Sequence, residues 1–151
     1  MTHAMWAPDT VGAGPAHRVE LTLAADAQML FLARMTGAAV ATRADFDYEQ
    51  VEDLRLAIDE LCIKLMSSVN GPARISLSFQ WDDEGALEVI GTRIPEDGPS
   101  TNGRHPQPGV AGPTSELSER ILDALVDDHG GDMFGETQQV WLRLKRQERL
   151  A

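Results

Sequence analysis

The sequence predicts an α+β fold in which helices cover one face of a mixed, mostly antiparallel sheet. One observation is an apolar stripe at helical spacing between residues 48 and 68. A second is strict period-two alternation near the start, in the middle and at the end of the chain. A third is the order of the elements, because grouped helices between runs of strands favour layered α+β packing over alternating βαβ units. At 151 residues and 42% apolar composition, the chain has enough material for one ordinary core.

The first 16 residues are rich in Pro, Gly, Ala and Thr without periodicity, and read as a flexible leader. Val19, Leu21 and Leu23 then alternate with Arg18, Glu20 and Thr22, the pattern of a half-buried strand. Asp26 is placed to cap a helix running from Ala27 to Ala41, a segment dominated by Ala, Leu and Met. Val51, Leu54, Ile58, Leu61 and Leu65 step by three and four, so they line one face of a helix from Tyr48 to Ser68. Asn70, Gly71 and Pro72 stop it. Ile75, Leu77, Phe79 and Trp81 form the next alternating strand, and Asp82 to Gly85 turns the chain into a hairpin with Leu87 to Thr92. Between Ile94 and Pro113, five prolines and four glycines in twenty residues exclude a helix or central strand, leaving a long loop that is either a lid or a disordered insert. Thr114 or Ser115 caps a helix striped by Leu117, Ile121, Leu125 and Val126, which Gly130 and Gly131 end. Val140, Leu142 and Leu144 alternate in a last strand before a frayed tail at 147–151.

Thirteen Lys+Arg against twenty-four Asp+Glu give a formal charge of -11, which opposes attraction to nucleic-acid phosphates and anionic lipid and suits a basic protein partner. No stretch reaches the ~20 apolar residues of a membrane span, and the start lacks the character of a secretion signal, so a cytoplasmic location is expected. The single cysteine, Cys62, excludes an internal disulfide and a Cys-rich zinc motif, and its place in the helical stripe makes it a small core residue.

VEDLRLAIDELCIKLMSS, from Val51 to Ser68, resembles the N-box helix of RsbW/SpoIIAB-type anti-sigma factors, serine kinases of the GHKL superfamily, through Asp53, Leu54, Leu56, Ala57, Asp59, Glu60 and Cys62. FLARMTGAAV from Phe31 is similar to that family's partner-binding helix, and ERILDALVDD from Glu119 to the helix after its second glycine box. The resemblance runs from His17 to Arg146 and implies a Bergerat two-layer α/β sandwich at 17–146, with 94–113 as its lid.

By the same resemblance Glu60 is the residue that orients or activates a nucleophile. The family's magnesium-binding Asn corresponds to Lys64, whose ammonium has no lone pair to give a metal and carries like charge. Lys64 either meets phosphates directly or simply pairs with Glu60 along the helix, four residues apart. Gly91 or Thr92 stands where the family places an adenine-binding Asp, and only a register shift would recruit Asp97 and Gly98, otherwise a turn dipeptide. Glu116 and Ser118 replace the glycines of the second box. A carboxylate there opposes a triphosphate and serves as a substitute for its charge, or else is an ordinary acidic first turn.

All three nucleotide boxes therefore depart from the pattern, as in the UsfX-like branch of the family. No cofactor is expected, weak ATP/Mg binding being the alternative, and no metal. The resemblance assigns partner binding to Arg34 with Phe31 and Met35. These apolar neighbours pack on the sheet or on a second subunit, and Arg34 either binds a partner or is a solvated helix residue. It implies an anti-sigma factor that binds an alternative sigma factor, countered by an anti-anti-sigma (STAS) protein, and a homodimer. A kinase phosphorylating that STAS protein is the alternative.

Overall fold

The computed structural model describes residues 17–67, 72–96, 113–135 and 137–147. Strand β1 (His17–Ala24) is followed by a single 3-10 turn, Ala27–Met29, and helix α1 (Leu30–Arg43). Asp26 caps the turn, its carboxylate accepting the Gln28 amide at 3.0 Å. The helix expected from Ala27 thus begins one tight turn later and extends to Arg43. Helix α2 (Tyr48–Ser67) runs back alongside α1 after a connection of four residues, and leads into the hairpin of β2 (Ala73–Trp81) and β3 (Ala86–Pro95). Helix α3 (Pro113–Leu125), β4 (Asp128–Phe134) and β5 (Thr137–Lys145) complete the described fold.

The five strands lie in the order β1-β2-β3-β5-β4, and all four pairings are antiparallel. The expected mixed sheet is corrected by this: each strand reaches its neighbour through a hairpin or a return past the helices, so no parallel crossover arises. A second correction concerns Gly130 and Gly131, which sit inside β4 and do not close α3; α3 ends at Leu125. Gly130 is opposite Trp141, and a Cβ there would come within 2.7 Å of the indole. The glycine is a packing requirement, although in sequence it looks like a break. Ile94 and Pro95, expected in the loop, extend β3, and Pro113 opens α3, where its missing amide hydrogen costs nothing. The leader, most of the loop and the end of the tail lie outside the described residues.

The helices cover one face of the sheet, making two layers. Leu54, Ile58, Leu61 and Leu65, the periodic residues of α2, are fully buried against Leu77, Phe79, Leu87, Val89 and Leu142. Each such burial is worth about 1.5 to 3 kcal/mol relative to exposure, which makes α2 the spine of the helical layer. Close approach is needed at Gly91 of β3, where a Cβ would meet Leu61 at 2.5 Å and Leu65 at 2.7 Å. On the opposite sheet face Arg143 lies beside buried Glu88 at 3.5 Å and over the Trp141 ring. Among the described residues no helix is long and apolar enough to cross a membrane.

Candidate functional site

Two regions of the helical layer collect the residues singled out in the sequence. The first is the outer face of α1. This helix buries Ala33, Gly37, Val40 and Ala41, a stripe of small residues that lets it lie close to the sheet and α2. The opposite side leaves Phe31 49% and Met35 63% exposed. Of the two locations open to them in the sequence, the sheet is therefore excluded. Arg34 faces α2, where its Nη1 donates to both carboxylate oxygens of Asp59 at 3.0 and 3.2 Å in a half-buried pair. Leu56 and Ile63, one turn before and after Asp59 on α2, are also exposed. Arg34 is thus held in an ion pair between two helices that leave Phe31, Met35, Leu56 and Ile63 exposed. Asp59 was visible as part of the N-box pattern, but its pairing across 25 residues has no periodic signature.

The second region lies where α2, α3 and β4 meet. Ser118, the buried residue of the second turn of α3, donates its hydroxyl to Glu60 Oε2 at 2.7 Å. Lys64, one turn further along α2 and 19% exposed, donates to Glu119 Oε1 at 2.6 Å. The other oxygen of Glu119 lies 3.5 Å from Nδ1 of His129, whose Nε2 lies 2.6 Å from Asp123. Glu60, Lys64 and Ser118, singled out in the sequence, come together here, and the carboxylate that meets Lys64 is Glu119, not Glu116. Glu116 is exposed on the first turn, and three residues later Glu119 comes round to face α2.

Thr92 is displaced from this region for a geometric reason. Gly91 faces α2, so its neighbour must point to the far side of the sheet, and Thr92 pairs there with Ser76 and Gln139. The next inward residue is Arg93, which sequence reasoning missed. It is almost completely buried and donates from Nη1 to the Leu65 carbonyl at the end of α2, at 2.9 Å. Burial draws its guanidinium below the ordinary arginine range. Asp97 and Gly98 lie outside the described residues.

Cys62 is fully buried on the inner side of α2, as expected of a core residue. Burial, reinforced by Asp59 and opposed by Arg34, pushes its thiol up to about 12. Among the described residues no group of three His, Cys, Asp or Glu is placed to hold a metal ion. A surface concavity of about 670 Å³, lined by Ala38, Ala39, Thr42, Arg43 and Asp45, lies at the end of α1 and contains none of the expected site residues.

Fold and site together define a two-layer α/β sandwich with an apolar outer face on α1 and a polar network joining α2 to α3. Over 119 residues the chain is 35% identical to a serine-protein kinase RsbW of Bacillus cereus, covering 74% of each protein. It is also 34% identical over 111 residues to an anti-sigma-F factor RsbW of Mycobacterium tuberculosis, covering 73% of this chain and 58% of that protein, so the match spans less than two thirds of that relative. The chain belongs to the RsbW family. No family model matches it.

Proposed function

We propose that this protein is an anti-sigma factor that binds and sequesters an alternative sigma factor, is countered by an anti-anti-sigma (STAS) protein, and works without nucleotide. The observation that carries the reading is the exposure of Phe31 and Met35 on either side of Arg34, on the outer face of α1, in a chain of the RsbW family. Apolar anchors around a half-buried arginine are what a protein interface needs: the anchors supply desolvated area, and the guanidinium supplies directed bonds to carboxylates. The family match to an anti-sigma-F factor supports the choice of partner, and the acidic charge suits a basic partner surface. The α1 face is also where a second copy would pack in a homodimer. We place the protein in the cytoplasm, where sigma factors act, and read its sandwich at 17–146 as a GHKL-type domain.

The residues at the α2–α3 junction do not suit a magnesium-bridged triphosphate. Lys64 offers no lone pair to a metal and is engaged by Glu119, Glu60 accepts from Ser118, and a cation, Arg93, is the inward residue at the end of β3. The kinase reading retains one supporting observation, Glu60 itself in a chain similar to proteins named serine-protein kinase. Co-purification with each sigma factor of the cell tests the main reading. Capture of one, weakened by Arg34→Ala, is expected; no capture by wild type would sink it. Transfer of labelled phosphate from ATP to a STAS protein would establish the kinase.

A further inference from the structure

Glu119 is in an unusual position for a carboxylate on a surface helix. One of its oxygens contacts the ammonium of Lys64 on α2 and the other approaches the imidazole of His129 on β4, whose side chain is only 9% exposed. Beside this bridge the Ser118 hydroxyl is bonded to Glu60, and Asp123 holds the far nitrogen of His129. Two consecutive turns of α3 are thereby tied to α2 and β4, the ties to α2 spanning 55 and 58 residues of sequence. A carboxylate bonded to an ammonium through one oxygen, with its other oxygen 3.5 Å from an imidazole nitrogen, occupies the kind of place in which proteins hold an oxyanion ligand, since charge-assisted bonds are short and directed. Here the chain supplies that anion itself.

We propose that Glu119 is an internal stand-in for a phosphate-type oxyanion, a latch that docks α3 onto α2 and β4 without a ligand and keeps Lys64 from taking an external one. This extends the reading of a nucleotide-independent binding module, but it rests on the geometry of the bridge, and its readout is the protection of α3, not the capture of a partner. Apolar contact through buried Leu122 keeps α3 on the sandwich when the latch is opened, so the variants below loosen the helix without unfolding the domain.

Hydrogen exchange followed by mass spectrometry tests the latch in the full-length chain, with the β2–β3 hairpin as internal reference. Glu119→Gln keeps the size of the side chain and removes its charge. It is expected to speed exchange in residues 116–125 by about ten-fold while leaving the hairpin unchanged. Adding tripolyphosphate, or ATP with magnesium, should restore protection in Glu119→Gln and do nothing to wild type. Lys64→Met should show the same loosening with no restoration, because the cation that would receive the anion is gone. Exchange of α3 unchanged in both variants would overturn the latch. Loosening of Glu119→Gln that neither anion reverses, or wild-type protection that rises with either anion, would overturn the stand-in role.

Discussion

The outer face of α1 and the α2–α3 junction are built from the same kinds of residue and treat them in opposite ways. At the junction every charged group described has a partner within the chain: Glu60 with Ser118, Lys64 with Glu119, and His129 between Glu119 and Asp123. On α1 the ion pair Arg34–Asp59 is similarly made, but the apolar side chains around it, Phe31 and Met35 with Leu56 and Ile63 of α2, are left to solvent. Polar groups that satisfy one another need nothing from outside, whereas exposed large apolar residues gain by being covered. This contrast is what supports the proposed recognition role of α1 and a structural role for the junction.

Both regions are mounted on α2, and the largest expected effect checks that this mount is rigid. Cys62 lies on its buried side with a thiol pushed up from 9.0 to about 12, so at neutral pH the reactive thiolate is scarcer by about a thousand-fold than in an ordinary thiol. Alkylation of the native protein should be at least that much slower than of the protein in denaturant; comparable rates would mean α2 opens readily. The folded chain holds this proton more tightly, so stability is unaffected below pH 9 and falls as pH rises from about 9 towards 12, which a pH series of urea unfolding would record. Cys62→Ser should flatten that decline.

Next in size is Gly91→Val, which places branched carbon against Leu61 and Leu65 beneath both regions. It is expected to cost about 2 to 3 kcal/mol by urea unfolding, from overpacking. Arg34→Ala separates the regions: partner affinity should fall by about 2 kcal/mol in calorimetry, while the melting temperature moves little because the lost ion pair is only half-buried. A Phe31→Ser variant should lose about 1 kcal/mol of the same affinity and gain solubility. The smallest effect is expected at Asp53. Burial, with Glu49 and Asp47 nearby, raises its carboxyl above the ordinary value, so ionisation at neutral pH works against the fold; Asp53→Asn should raise the melting temperature slightly at pH 7 and leave it unchanged below pH 3.

Much of this was legible in the sequence, and the exceptions have a common cause. Periodicity located α2 because its apolar residues all face one core, alternation located β1, β2 and β5 for the same reason, and the turn at Asp82 to Gly85 located β3. Strand β4 was hidden because it carries Gly130 and Gly131 and only a few apolar residues, and Gly130 is explained only by the Trp141 ring lying over it. The site divides along the same line. Arg34, Phe31, Met35, Glu60, Lys64 and Ser118 were singled out by local pattern and resemblance. Asp59, Glu119 and Arg93 acquire their roles from contacts across 25, 55 and 28 residues, and pairings of that range leave no mark on a local pattern.

Partner binding on α1 is expected to be independent of nucleotide at the α2–α3 junction. Calorimetric titration of the captured sigma factor into this protein, with and without saturating ATP and magnesium, measures that independence directly. The account predicts the same affinity in both titrations. A change of about ten-fold or more, equivalent to about 1.4 kcal/mol of coupling, would contradict it.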